Sequence, residues 1–428
     1  MQKVSIFWFR RDLRIEDNVG LHQALKSGWP VMCIFIFDTE IIDDLPKNDA
    51  RISFIYKCLQ TINNELKTFD SSIKIYRGKP IDIWKTIIKD FEVAQVFTNK
   101  DYEPYAIQRD QQVADLLSNN GIEFKVYKDQ VIFEEAEVMK DDGHPYTVFT
   151  PYKNKWLEHL KNIDIKDHPI KQYHQNFYKY IHDFPTLADI RFEKSSIVVK
   201  DHNFNNLKNY DEIRDFPAKD GTSYLSPHLR FGTVSIRKIL QIALANNAVF
   251  VSELVWREFF MQILFHFPRV VNENFKTKYN GIQWRNNEEE FKRWCVGKTG
   301  FPMVDAGMRQ LNESGYMHNR VRMITSGFLC KHLLIDWKWG EAYFAEKLLD
   351  YELSSNNGNW QWAAGTDCDA APYFRVFNPI TQLQKFDPEL KYVRQWIKDF
   401  DELSYPSPMV DHKKARERAL EVYKVGIA

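Results

Sequence analysis

Five short runs of β-branched and aromatic residues in the first third of the chain set the tightest limit on its fold. They are "VSIFWF" from Val4, "PVMCIFIF" from Pro30, "SSIKIY" from Ser71, "AQVFTN" from Ala94 and "IEFKVY" from Ile122. Between them lie helical patterns such as "ISFIYKCLQTINNELKTF" and "IDIWKTIIKDF". Strands that alternate with helices predict a doubly wound parallel sheet, here of five strands, in an α/β domain over residues 1–130. No GxGxxG follows any of the strands, so nothing requires a dinucleotide to bind there in the Rossmann manner. Periodicity weakens over 131–200, where "DDGHPY" and "IKDHPIKQY" read as loops and the segment reads as a linker. From 201 to 428 the pattern is helical almost throughout, which predicts an all-α second domain.

Composition narrows the function classes. With 428 residues, 44% hydrophobic and 27% charged, the chain reads as a globular protein of two or three domains. No apolar run approaches the roughly 20 residues that span a bilayer. The opening "MQKVSIFWFRRDLR" turns to arginine and Asp12 too early for a signal peptide. Five scattered cysteines without a CxxC pair argue against a metal or iron–sulfur site and fit a reducing cytoplasm. Formal net charge is zero, so a nucleic-acid partner would need a local basic face. The outlying number is 15% aromatic with 12 Trp, a content that serves core packing, stacking surfaces or a redox relay.

Four stretches of the helical half place polar and aromatic groups together. "DGTSYLSPHLRFGTVS" sets Thr222, Ser223 and Ser226 before a proline and an apolar pattern, an arrangement that suits an anion and that ordinary N-capping also explains. In "SELVWREFFMQIL", Glu253, Trp256, Arg257 and Phe260 fall at spacings of three and four on one broad helix face. They read either as a salt bridge beside a core aromatic or as an acceptor and a stacking plate lining a pocket. "GYMHNRVRMITSGFL" puts Asn319 and Met323 four apart with Arg322 beside Met323; polar groups amid apolar neighbours need partners, backbone or ligand. His318 in the same stretch reads as structural rather than as a catalytic acid. In "ELSSNNGNWQWAAGTDCDAAPYF", a helix would set Asn356 and Trp360 on one face and turn Trp362 roughly the opposite way.

Taken together and in order, "WFRRDLRIEDNVGL", "GTSYLSPHLRFG", "ELVWREFF", "GKTGFPMVDAGMRQL", "MHNRVRMI" and "NNGNWQWAAGTDCDAAPYFRVFNP" resemble the photolyase/cryptochrome family, most closely its class I cyclobutane pyrimidine dimer photolyases. The resemblance spans essentially the whole chain. It implies an N-terminal α/β antenna domain and a helical domain holding FAD, fully reduced when active. On the motif positions, Tyr210, Thr222, Ser223, Tyr224, Leu225 and Ser226 are expected at the FAD ribose and pyrophosphate. Arg257, Arg322, Asp350, Glu352 and Asn356 are expected around adenine and isoalloxazine, with Asn356 facing flavin N5. Glu253, Trp256, Asn319, Met323 and Trp362 match the pocket for a flipped dimer, with Trp256 and Trp362 sandwiching the pyrimidines. Arg214 and Arg320 match positions that bind the DNA backbone. Trp360, Trp337 and Trp284 match the inner, middle and outer members of an electron relay. Base extrusion is a general feature of such enzymes, photolyases among them. The implied partner is UV-damaged DNA, and the implied state a monomer without an obligate protein partner.

Two positions depart from the family pattern. Glu352 stands where Asp is usual, and in "DYEPYAIQRD" Tyr105 and Ala106 replace the Asn-Glu pair of folate-type antennae, which leaves the antenna chromophore open. Rival readings are a cryptochrome photosensor, marked by Asp at position 356 and a long C-terminal extension, and a (6-4) photolyase, marked by Gln at position 253 and a His pair in place of "MHNR". The sequence carries Asn356, Glu253 and a short tail after "RERALEVYK".

Overall fold

The structure, a computed structural model, describes residues 2–369 and 372–427. It divides into two compact units, one formed by Met1–Glu137, Glu158–His202 and Tyr224–Ala245, the other by Val138–Leu157, Asn203–Ser223 and Asn246–Ala428.

The first unit is built on a parallel sheet of β1 (Lys3–Phe9), β2 (Val31–Asp38), β3 (Ile73–Gly78), β4 (Glu92–Asn99) and β5 (Glu123–Tyr127), in the order β3-β2-β1-β4-β5. Alternate side chains of the central strands feed two separate cores. Phe7, Phe9, Cys33, Phe35 and Phe37 join one cluster, and Val4, Ile6, Trp8, Met32, Ile34 and Ile36 the other. Burial on both faces explains why these strands read as unbroken apolar runs rather than as alternating ones. Strand order reverses between β1 and β4, and the crevice at their carboxyl ends is filled by a polar network. Asn99 Nδ2 donates to Asp12 at 2.6 Å and to Asn18 at 2.8 Å, while the Gly20 N–H donates to Asn99 Oδ1 at 2.9 Å. In the "DYEPYAIQRD" stretch, the Tyr105 hydroxyl donates to Asp38 at 2.6 Å, and Arg109 lies over the Trp8 ring.

The second unit is helical. Its Ala248–His266 helix starts at Asn247, whose side chain accepts from the Val249 and Phe250 N–H groups, and it is apolar nearly all round, as a central helix must be. The Asn319–Gly327 helix runs on into a π-helical turn, Phe328–His332. The Trp337–Lys347 and Leu353–Ala364 helices follow. One hydrophobic cluster joins Trp294, Met308, Phe328, Trp337, Phe344 and Trp360, among others. The five cysteines are free thiols, and among the described residues no helix is long and apolar enough to cross a membrane.

Candidate active site

The Leu353–Ala364 helix organises the second unit. Glycines let its neighbours approach: a Cβ on Gly358 would sit 2.2 Å from Phe260 Cδ1, and one on Gly340 would sit 2.1 Å from Trp360 Cη2. The helix is thus wedged between the Ala248–His266 and Trp337–Lys347 helices, each contact closed to any side chain at the glycine. It ends at Gly365, whose φ of +88° is the left-handed cap that favours glycine.

This helix carries three of the expected site residues in different surroundings. Trp360 is 2% exposed, packed edge-on against Phe344 at 4.9 Å and Trp294 at 6.1 Å. Trp362 is half-buried and lines a shallow, solvent-open cleft together with Met323, Gly327, Lys331, Arg375 and Phe377. The two indoles, two residues apart, therefore face different surroundings from roughly opposite sides of one helix. Asn356 Nδ2 donates to the Glu341 backbone carbonyl at 3.1 Å and to its carboxylate at 2.8 Å. Both partners are acceptors, so the amide nitrogen must face Glu341 and the amide oxygen is turned the other way. Burial raises the Glu341 carboxyl above its usual range, and the hydrogen bond from Asn356 opposes that rise.

The other expected residues fall into ion pairs and caps. Arg322 donates to Asp350 at 2.8 Å and to the Met317 carbonyl at 2.8 Å. Arg257 lies 3.8 Å from Glu352, which is 5% exposed and accepts from the Ser355 hydroxyl at 3.2 Å. The longer acid at position 352 thus has its own partners. Arg214 pairs with Glu253 at 2.5 Å and Arg320 with Asp215 at 2.7 Å, so both arginines are held by acids. Tyr210 packs edge-on against Phe250 at 5.1 Å, with Arg214 over its ring. Thr222 accepts from the Tyr316 hydroxyl at 3.1 Å, and the Ser223 carbonyl accepts from the Asn203 N–H at 3.0 Å. Tyr224, Leu225 and Ser226 belong to the first unit, where Lys200 lies 4.3 Å above the Tyr224 ring. Asn319 is exposed at the start of its helix. Trp337 is 1% exposed and donates its indole N–H to Asn274 at 2.8 Å, while Trp284 is partly buried, edge-on to Tyr423 at 5.8 Å.

Trp256 is stacked flat against Phe149, at 3.5 Å and 6°, with Phe260 stacked at 5.5 Å. The Phe149 N–H donates to Asp369 at 2.9 Å, which ties this wall to the segment that follows Trp362. Phe149, Glu341 and Lys331 were missed by sequence reasoning. A buried Asn announces that a partner exists, but nothing in the spacing names Glu341, fifteen positions earlier.

His318 caps the Asn319–Gly327 helix, its Nδ1 accepting from the Arg320 N–H at 3.2 Å. That role places the ring proton on Nε2, and burial lowers the imidazole to about 4, so it stays neutral. Its structural reading is thereby accounted for. Among the described residues, the buried His318 Nε2 and Ser354 Oγ have no hydrogen-bond partner. Ser354 sits two residues from both Glu352 and Asn356. A polar ligand could satisfy such groups, although Ser354, two helical positions from Asn356, projects to roughly the opposite side of the helix. No group of three or more His, Cys, Asp or Glu suited to a metal occurs among the described residues.

The chain is similar to known proteins over nearly its whole length. Residues 250–404 match the family model for the FAD-binding domain of DNA photolyase, and residues 5–173 match that for DNA photolyase. A deoxyribodipyrimidine photo-lyase of Vibrio cholerae is 35% identical over 98% of this chain and 99% of its own length. The Escherichia coli protein of that name is 34% identical over 98% of each. Among solved structures, a class III photolyase from Agrobacterium tumefaciens superposes with a TM-score of 0.87 at 32% identity, covering 100% of this chain and 98% of its own. An archaeal photolyase from Sulfolobus tokodaii with two FAD molecules gives 0.84 at 32%, covering 98% and 99%. A helix that separates a buried indole from a cleft-facing one, an amide oriented by a buried acid, and likeness running from end to end carry one conclusion: this chain belongs to the DNA photolyase family, and its helical half contains that family's FAD-binding domain.

Proposed function

We propose that the protein repairs cyclobutane pyrimidine dimers in UV-damaged DNA, driven by light. The observation that carries this reading is the division of labour on the Leu353–Ala364 helix, with Trp360 in the core and Trp362 on an open cleft. When bound, fully reduced FAD supplies the excited electron that splits the cyclobutane ring and takes it back. The chain binds, orients and excludes water. Tyr210, Thr222, Ser223, Tyr224, Leu225 and Ser226 hold the ribose and pyrophosphate, and Arg257, Arg322, Asp350 and Glu352 surround the rings. Asn356 presents its amide oxygen as an acceptor, held in that sense by Glu341. Trp362 and Trp256 wall the slot for the extruded dimer, Phe149 backing the second of them, while Met323 and Asn319 complete its floor. Glu253 serves as acceptor to a base edge, which requires it to leave or share Arg214. Arg214 and Arg320 then face phosphate, so affinity falls as salt rises. Trp284, Trp337 and Trp360 conduct electrons inward from solvent. The enzyme acts as a monomer without an obligate protein partner.

The test is blue-light irradiation of the reduced protein with an oligonucleotide holding one cyclobutane thymine dimer. Recovery of thymine absorbance supports repair. Tight lesion binding with reduced FAD and no recovery would make the protein a photosensor instead.

A further inference from the structure

Lys331 is a buried lysine on the cleft and has no place in the chemistry above. It stands on the π-helical turn Phe328–His332, in a row with Met323 and Gly327 at intervals of four, and all three line the cleft beside Trp362. Its side chain is 3% exposed. Nζ donates to the Ala364 carbonyl at 2.7 Å, reaches the Tyr373 carbonyl at 3.4 Å, and lies 3.6 Å from the centre of the Tyr423 ring. The Tyr423 hydroxyl donates to the same Ala364 carbonyl, also at 2.7 Å.

Ala364 is the last residue of the helix that carries Trp362 two positions earlier. Carbonyls of a final helical turn have no intrahelical partner, and the dipole there favours a cation. A buried ammonium and a phenol converging on one such carbonyl fix the turn from outside the helix. The π turn widens the rod by one residue per turn, a deviation common at functional sites, and here it carries the residue that reaches that carbonyl. Burial lowers the ammonium to about 7, with the Cys330 thiol opposing, so the site carries the cost of a desolvated lysine where a methionine would pack without it.

The geometry points to Lys331 as a positioning residue that clamps the end of the Leu353–Ala364 helix and thereby sets the Trp362 wall of the lesion slot. This rests on the reading of Trp362 as that wall. Although Lys331 borders the cleft, it is 3% exposed with its Nζ turned to the Ala364 carbonyl, so it acts through Ala364. The clamp acts on lesion binding and leaves the electron relay alone, because Trp360 is held independently by Phe344 and Trp294.

The experiment compares Lys331→Met, Tyr423→Phe and Trp362→Ala as full-length, FAD-loaded protein, with the single-dimer oligonucleotide as probe. For Lys331→Met the expected result is lesion affinity weakened about tenfold, the upper end of the net worth of one hydrogen bond. Repair per absorbed photon at saturating substrate, FAD content and photoreduction through Trp360 should stay at the parental level, since Trp360 keeps its contacts to Phe344 and Trp294. A purely structural lysine would lower stability, FAD content and turnover together, and that pattern would overturn the proposal. Unchanged affinity in Lys331→Met with weakened affinity in Trp362→Ala would overturn it while leaving the slot intact. Unchanged affinity in Trp362→Ala would remove the slot and the clamp with it. Should Lys331→Met fail to fold, Tyr423→Phe decides, since it removes the other donor to the same carbonyl: a loss of affinity with FAD retained supports the clamp, and parental affinity overturns it.

Discussion

Replacing Gly340 by alanine should be among the most damaging single-methyl additions to the helical unit. The new Cβ would lie 2.1 Å from Trp360 Cη2, 2.4 Å from its Cζ3 and 2.6 Å from Leu329 Cδ2. Carbon atoms rest at about 3.5–4.0 Å, so the indole would have to retreat by roughly 1.5 Å. It has nowhere to go, because Phe344 and Trp294 already press on it edge-on. Overpacking of this kind costs about 1–3 kcal/mol, and a clash with a rigid ring belongs at the upper end. Alanine recovers about 1 kcal/mol of helix propensity, which leaves about 2 kcal/mol of net destabilisation. At about 2–4 °C per kcal/mol for a unit of this size, thermal unfolding followed by near-ultraviolet dichroism should show Tm lowered by about 4–8 °C. Gly327→Ala is the control, since its Cβ would meet nothing nearer than Phe377 Cδ2 at 3.8 Å. That variant should match or exceed the parent in stability. Equal Tm for Gly340→Ala and the parent, or equal losses in both variants, would refute the packing argument.

Other expectations follow from the same geometry. Trp360→Phe should slow flavin photoreduction yet leave repair by chemically reduced protein largely intact; loss of both would put the indole on the wrong side of the cofactor. Glu341→Leu leaves a buried amide donor with one acceptor fewer, a defect of about 1–3 kcal/mol that should free Asn356 to turn. Reduced flavin in that variant should oxidise faster in air with FAD content kept, and an unchanged oxidation rate would remove Glu341 from the site. Burial lowers His332 to about 3 from a usual 6.5, so the unfolded chain takes up a proton first as the solution is acidified. Its stabilising contribution is complete above pH 6.5 and drains away below it, at about 1.4 kcal/mol per pH unit. His332→Phe should therefore flatten the fall in Tm between pH 6.5 and 5, and an unaltered slope would contradict the assignment.

The strands were legible because burial on both faces leaves no polar alternation to blur them: Ile34, Phe35 and Ile36 are all within the two cores of the sheet. The middle of the Ala248–His266 helix was legible from the three-and-four spacing of Glu253, Trp256, Arg257 and Phe260, whereas its cap, Asn247, was not. The contrast between Trp360 and Trp362 followed from helical geometry alone. What escaped was made by contacts between distant segments. Phe149 meets Trp256 across about a hundred residues, and no local pattern marks a pair whose rings touch only after folding. The π turn at Phe328–His332 has no signature in "GFLCKHLL", because a single widened turn keeps the apolar rhythm of the helix before it. Nothing in that run marks Lys331, because its burial at 3% exposure and its bond to Ala364 arise only on folding. The pairing of Arg214 with Glu253 was equally hidden, since each residue on its own suggests a contact to DNA.

The most direct measurement is the ultraviolet spectrum of a dimer-containing oligonucleotide during blue illumination with the purified, FAD-reduced protein. Restored thymine absorbance, absent in the dark, is the predicted outcome; a bound oligonucleotide whose spectrum never changes under light would contradict the account at its centre.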